Sequence, residues 1–180
     1  MHSMKRSLLW LNGVGGAAVL ASYVLGLGSS AELGASLWGG VPESARGFYT
    51  LNMFLAAAGY FLFTPYILFR LPAEGPLVAG RFGFGLFHVL YALVLVFSAL
   101  WLPLTAHVIA QPSALAWFAV RVDLALVALG SLGLLASLLA LPPGAPRGRA
   151  LAVIGLIPFC LQTVLLDAIV WPAFFPVPTP

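Results

Sequence analysis

Charge is scarce in this sequence. Eight Lys and Arg and five Asp and Glu are spread over 180 residues, and 62% of the chain is hydrophobic. A soluble surface carries far more charge, about a quarter of residues in ordinary globular domains, so this composition excludes a water-soluble protein and leaves an integral membrane one. Cysteine is almost missing too. Cys160 has no second cysteine to pair with, lies inside an apolar run, and reads as a small packing residue that says nothing about redox compartment. Histidine is confined to His2, His88 and His107, and the last two stand 19 residues apart on one apolar run. That spacing puts them near opposite membrane faces, so they cannot grip one metal or haem between them. With no second histidine pair this argues against a bis-histidine cytochrome; single-histidine ligation of a haem or chlorin stays open beside the plainer reading, a helix-packing or interfacial histidine. Gly13-Val14-Gly15-Gly16 falls inside a helix and not after a strand, which removes a dinucleotide fold. Ser98 and Thr105 have no His and carboxylate neighbours that would make a triad. No catalytic residue, metal ligand or cofactor is assigned, and the sequence does not show an enzyme.

Long apolar runs are what the chain has instead. Crossing a hydrocarbon layer of ~30 Å takes roughly 20 helical residues. Five runs qualify, approximately 8–27, 51–69, 84–104, 114–141 and 150–174. The expected fold is therefore an all-α integral membrane bundle of five transmembrane helices, residues 1–180 forming one domain, since no polar stretch is long enough to fold separately. Six of the eight basic residues fall on one side: Lys5 and Arg6, Arg70 and Arg81, Arg147 and Arg149. The opposite loops keep only Arg46. By the positive-inside rule the amino terminus is expected in the cytoplasm and the carboxyl terminus outside, in a plasma or inner membrane. The net charge of +3 does not call for nucleic acid, because these residues come in pairs at helix ends, beside anionic membrane lipid.

Lys5-Arg6 and the apolar run after them resemble a secretory signal, with Ser29-Ser30-Ala31 as small residues for a peptidase. The run exceeds the usual length of about 7–15 residues, so a retained helix is expected. Gly13, Gly15, Gly16, Gly26 and Gly28 on it suit close helix packing. The first outer loop, 29–50, is too apolar for a free linker and should fold back over the outer helix ends. Leu71–Pro76 and Pro142–Pro146 are breaker clusters on the inner side, and the proline-rich tail after Pro172 cannot continue a helix. No internal repeat is evident, against an inverted-repeat transporter.

The outer half of the bundle carries the unusual chemistry. Arg121 and Asp123 lie seven and nine residues into the fourth run, and Asp167 seven residues below the end of the fifth. At 1.5 Å per residue these depths are roughly 10–14 Å. Each charge at a helix centre costs roughly 2.5–3.5 kcal/mol on insertion scales, so the three are expected to face the interior and compensate one another. Residues two apart point about 200° apart on a helix, so Arg121 and Asp123 cannot share one partner. Arg121 is expected to pair with Asp167 across the helix interface, leaving Asp123 for another neighbour or a ligand. A buried ion pair that only fixes packing is the plainer alternative.

Aromatic placement adds to this. Trp38, Trp101, Trp117 and Trp171 map to the outer side and only Trp10 to the inner, with Tyr49, Asn52 and His107 also outside. An interfacial belt would occupy both faces. The bias fits an amphipathic pocket in which rings provide area and a few polar groups orient the ligand. The expected ligand-binding set is Trp38, Asn52, Trp101, His107, Trp117, Arg121, Asp123 and Asp167.

The stretch Leu90-Tyr91-Ala92-Leu93-Val94-Leu95-Val96-Phe97-Ser98-Ala99-Leu100-Trp101-Leu102-Pro103-Leu104 resembles the third helix of the tryptophan-rich sensory protein/translocator protein family, where LY, a run of leucines and a W-x-P stretch recur. Tyr49-Thr50, Met53 and Ala57-Ala58-Gly59-Tyr60 are similar to its second helix. Asp167 four residues before Trp171, and Pro158-Phe159, are similar to an Asn–Trp spacing and a Pro-Tyr pair in its fifth. The likeness runs in patches from Tyr49 to Trp171. The chain departs from the pattern in the first loop, which Trp38-Gly39-Gly40-Val41-Pro42 matches only in part. It also departs at Phe97 or Ser98 and at Asp167, where the family has Asn, in lacking a basic tail, and in its charge-based orientation. The resemblance implies a five-helix bundle that binds porphyrins, sterols or related hydrophobic ligands, with Trp101 and Asp167 at matched positions.

Two functions follow. One is a sensor or carrier that binds a small hydrophobic or amphipathic ligand, such as a sterol, lipid or tetrapyrrole, in the outer half of the bundle. The other is an accessory subunit that docks on a larger membrane complex through its glycine faces; a homodimer is also open. A pocket lined by Asp123, Asp167 and Trp101 favours the first, a solid core with small-residue outer faces the second.

Overall fold

The computed structural model describes residues 2–29, 31–75 and 77–175. The chain is all helix, with no strand among the described residues, and five helices are long and apolar enough to cross a membrane. These are α1 (Ser3–Ser29), α3 (Glu43–Pro65), α4 (Gly85–Ala110), α5 (Ala114–Leu139) and a composite last span. The last span joins α6 (Arg149–Cys160), a π-helical stretch Leu161–Val170 and α7 (Trp171–Phe174), while α2 (Ala31–Ser36) is a short piece of the first outer loop. Helix is the form in which each backbone N–H and C=O is satisfied within its own segment, as hydrocarbon requires. Large apolar side chains face outward along every span, Phe61 at 76% and Leu115 at 78% exposure among them. Such a surface belongs in lipid, and the protein is an integral membrane one.

Boundaries shift where prolines intervene. The second span begins at Glu43 and not near Leu51, because Pro42 stands just ahead of the first turn, where its missing N–H costs nothing. The third continues through Pro103 to Ala110. Pro65 and Pro158 each precede a wide-turn segment, Tyr66–Arg70 and Leu161–Val170. A helical proline leaves the carbonyl four residues back without its donor, and widened turns are one way the backbone re-pairs. Pro76, Ser30 and the tail 176–180 lie outside the described residues, and with them parts of the inner breaker cluster, the small-residue site after the first helix and the proline tail.

Packing sets the order α1, α4, α5, α6, α3 around the bundle. At the α3–α6 crossing Gly59 and Gly155 meet backbone to backbone, so that a Cβ on either would strike the other chain segment. Gly130 and Gly133 let α5 lie against Leu90, Leu93 and Val94 of α4. On α1, Gly15 and Gly26 receive Leu95 and Leu102, whereas Gly13, Gly16 and Gly28 have nothing within 4 Å. Only two of the five glycines in the first helix therefore act in packing within this chain. α1 is peripheral, running along α4 and reaching the α3 line near the inner end, where the Tyr60 hydroxyl donates to Asn12 Oδ1.

Two apolar cores divide the bundle by depth. The inner one gathers Leu8, Phe63, Ile67, Phe84, Phe87, Tyr91, Leu134, Leu138 and Leu156. Tyr91 donates to Thr64 there at 2.9 Å, and Arg149 closes the end of α5 by donating to the Leu139 and Leu141 carbonyls at 2.7 and 3.1 Å. Cys160 is buried, as its packing role requires, with its thiol 3.5 Å from the Ser131 carbonyl. The outer core is aromatic and holds the candidate site.

Candidate functional site

Trp171 is the hub of the outer core. Its ring meets Trp101 edge-on at 5.7 Å, Trp117 at 5.9 Å and Phe175 at 4.5 Å, while Trp117 and Phe175 stack at 5.2 Å. Tyr23 of α1 reaches Trp101 at 5.9 Å. The first outer loop does fold back over this layer: Trp171 Nε1 donates to the Leu37 carbonyl at 2.8 Å and Gly40 N to the Phe174 carbonyl at 2.9 Å. Trp38 of that loop packs edge-on against Tyr49, with the Arg46 guanidinium 5.5 Å above its ring. Aromatic pairs of this kind contribute roughly 0.5–1.5 kcal/mol each beyond their buried area, so loop, α3, α4, α5 and α7 are tied at one level.

A hydrogen-bonded chain runs beside the rings. Asn52 Nδ2 donates to the Pro158 carbonyl at 3.1 Å and to Gln162 Oε1 at 3.0 Å, and Gln162 Nε2 donates to Asp167 Oδ1 at 2.7 Å. Gln162 and Asp167 are five residues apart. On an α-helix that offset would turn them about 140° away from each other, whereas a π-helix, closed by i to i+5 bonds, brings them onto one face. Gln162, absent from the ligand-binding set expected from sequence, links Asn52 to Asp167. Its one available signal was an uncharged amide in the middle of an apolar span, five residues before an acid. The Tyr49 hydroxyl donates to the Leu166 carbonyl at 3.2 Å, and Tyr23 and Tyr49 both lie within electrostatic range of the Asp167 carboxylate.

Asp123 is placed differently. It is 2% exposed, and neither carboxylate oxygen has a hydrogen-bond partner. Trp101 Nε1 and Thr105 Oγ1 are likewise buried and unpartnered. These groups lie on facing stripes. Gly130 sits directly against Leu90, Leu93 and Val94, and Asp123, seven residues earlier, points within about 20° of the same direction. Trp101 is seven residues beyond Val94, and Thr105 is one turn further out. Four of the five unpartnered buried side-chain atoms among the described residues thus belong to the outer halves of α4 and α5; the fifth is His88 Nδ1, whose Nε2 meets Ser7 Oγ at 2.8 Å near the inner end.

Arg121 does not join this layer. It is exposed, and among the described residues it makes no ion pair with Asp167. With Asp123 turned inward, the residue two positions earlier is carried about 200° round the helix. Arg121 lies instead beside a shallow outer hollow of about 310 Å³ lined by Ala168, Ile169, Pro172 and Ala173. The expected Arg121–Asp167 pairing is therefore replaced by Gln162–Asp167. His107 is also exposed and stands apart from the buried groups. Trp38, Asn52, Trp101, Trp117, Asp123 and Asp167 occupy the outer layer, in two polar groupings, Asn52–Gln162–Asp167 and Asp123–Trp101–Thr105. The stability losses of Arg121→Leu and Asp167→Asn should accordingly add within about 0.5 kcal/mol in the double variant, as for groups with no shared partner. Thermal melts in detergent check this; a double loss clearly smaller than the sum would restore the pair.

A larger hollow of about 500 Å³ lies at the inner end, lined by His2, Lys5, Leu68, Phe69, Pro72, Ala73 and Glu74, with His2 and Glu74 3.3 Å apart. None of its lining residues carries an unpartnered buried polar atom. The chemistry is concentrated in the outer layer. Comparison with protein-family models, curated proteins and solved structures finds no match, so the site is read from its own geometry.

Proposed function

We propose that this membrane protein binds a small amphipathic ligand, as its sensor or carrier, in the outer half of the bundle between α4 and α5. The observation that carries the reading is that Asp123 on α5 and Trp101 and Thr105 on the neighbouring α4 all hold buried polar atoms without partners. A buried polar group left unmade costs roughly 1–3 kcal/mol, more when charged. A ligand that completes these groups recovers that cost, and the adjoining rings of Trp101, Trp117 and Trp171 provide apolar contact area. The likeness of the third span to the tryptophan-rich sensory protein/translocator protein pattern points the same way, because Trp101 is one of its matched positions.

Purification from membranes in mild detergent, followed by mass spectrometry of whatever co-elutes, tests the reading. A molecule of lipid or metabolite size is expected with the wild-type protein and not with Asp123→Ala. Co-elution of other polypeptides alone would move the function to an accessory subunit. One observation favours that second reading: α1 exposes Trp10, Val14, Leu20 and Val24 alongside Gly13, Gly16 and Gly28, a face that none of the described residues covers.

The orientation we infer places the amino terminus in the cytoplasm and the ligand layer toward the outer leaflet, on the strength of the six basic residues at one end. Cys160 is buried, so a single introduced thiol can report topology against a low background. Gly144→Cys should resist a membrane-impermeant maleimide in intact cells, and Ala35→Cys should react. The opposite pattern would invert the protein and put the layer in the cytoplasmic leaflet.

A further inference from the structure

The outer layer is acidic, and among the described residues no internal cation matches it. Asp123 is buried with both oxygens unpartnered, and Asp167 has one partner, the neutral amide of Gln162. The basic groups of this end are committed or turned away. Arg121 and His107 are exposed, and Arg46 lies over the Trp38 ring while donating to the Val41 carbonyl at 3.2 Å. Aromatic rings dominate the rest of the layer: Trp101, Trp117, Trp171, Phe175 and Tyr23 form one connected cluster.

Resting on the ligand-binding reading above, we propose that the ligand is a hydrophobic amine, held in its protonated form with its N–H groups on the Asp123 carboxylate. Three features of the layer select this class. A charged N–H donor makes a short, charge-assisted bond to a carboxylate, roughly twice as strong as a neutral one. Ring faces attract a cation, most strongly tryptophan and most of all away from water. Asp123 has two oxygens to satisfy, which an ammonium can do and a single hydroxyl cannot. A ligand with a carboxylate head would set like charge against Asp123, and an alcohol would leave the charge uncompensated. The Thr105 hydroxyl and the Trp101 N–H add donors one turn apart, suited to an acceptor atom near the amine.

The test uses three probes that share one apolar body and differ in the head: 5-phenylpentylamine, 5-phenylpentanol and 5-phenylpentanoate. Each is titrated into the full chain in mild detergent, followed by intrinsic tryptophan fluorescence and by the shift of the melting temperature. The amine is expected to bind at least tenfold tighter than the alcohol, with the carboxylate weakest. Asp123→Asn, nearly the same size, should reduce the amine to the affinity of the alcohol. Glu74→Gln, an acid at the opposite end of the bundle, should change it less than threefold. Should the Asn variant fail to fold, the order of the three probes on the wild-type protein still decides. Equal or tighter binding of the alcohol or the carboxylate, lost in Asp123→Ala, would overturn the amine while leaving the ligand-binding site in place. Binding of none of the three would overturn the amine outright, and the co-elution experiment would then judge the broader reading by itself. Amine binding unchanged in both Asp123→Asn and Trp101→Phe would place the cation elsewhere and overturn the proposal.

Discussion

Gly59→Leu should cost about 3 kcal/mol or more. A side chain added to a packed core typically costs about 1–3 kcal/mol when neighbouring side chains can shift. Here the neighbour is the backbone of Gly155, which cannot rotate out of the way, and the reverse holds for a side chain at Gly155. Leucine forms helix more readily than glycine by about 0.5–1 kcal/mol, so the loss would arise against local propensity and can be assigned to the crossing. Asn52 lies two turns outward on α3, in the same interface, where it bonds Gln162 and the Pro158 carbonyl. Prising α3 from α6 should therefore disturb the polar chain to Asp167 as well. Thermal melts in detergent and the monodisperse fraction after extraction check this. Gly13→Leu, on the open side of α1, is the control and should stay within about 0.5 kcal/mol of wild type. A Gly59→Leu protein that melts with the wild type would mean that the two helices do not cross at glycine.

Asp123→Ala is expected to separate function from stability. The wild-type carboxylate is buried without a hydrogen bond, and removing such a group relieves roughly 1–3 kcal/mol. Against that stands the loss of a few packing contacts, small for so short a side chain. The variant should therefore melt at or above the wild-type temperature while ligand affinity falls tenfold or more. That combination marks a group kept for binding at the expense of the fold. Equilibrium binding of the co-eluting molecule, with melts on the same preparations, measures both halves. A clear drop in melting temperature with affinity unchanged would make Asp123 a structural residue whose partner is part of the protein.

The all-helical membrane architecture and the number of spans were legible in the sequence, because each depends on local quantities. Twenty apolar residues in a row specify a crossing whatever they pack against, and 1.5 Å per residue converts position into depth. The outer bias of the tryptophans and the return of the first loop over the helix ends were legible for the same reason. The pairing of the charged residues was not. It depends on azimuth, and azimuth was reckoned at a uniform 100° per residue. Between Leu161 and Val170 the backbone widens to a π-helix, which aligns Gln162 with Asp167 and gives the acid a partner on its own span. Arg121, with Asp123 turned toward α4, is left facing outward.

The roles of the glycines were also decided by tertiary contact. Gly59 and Gly155 lie about a hundred residues apart and owe their importance to meeting each other. Gly13 and Gly16, which looked as well suited to packing, face open surface. Composition and periodicity settle which segments are long and apolar enough to cross a membrane. Which of them touch is settled by the phase of each helix and the identity of its neighbour, and both come from chain segments far away in sequence.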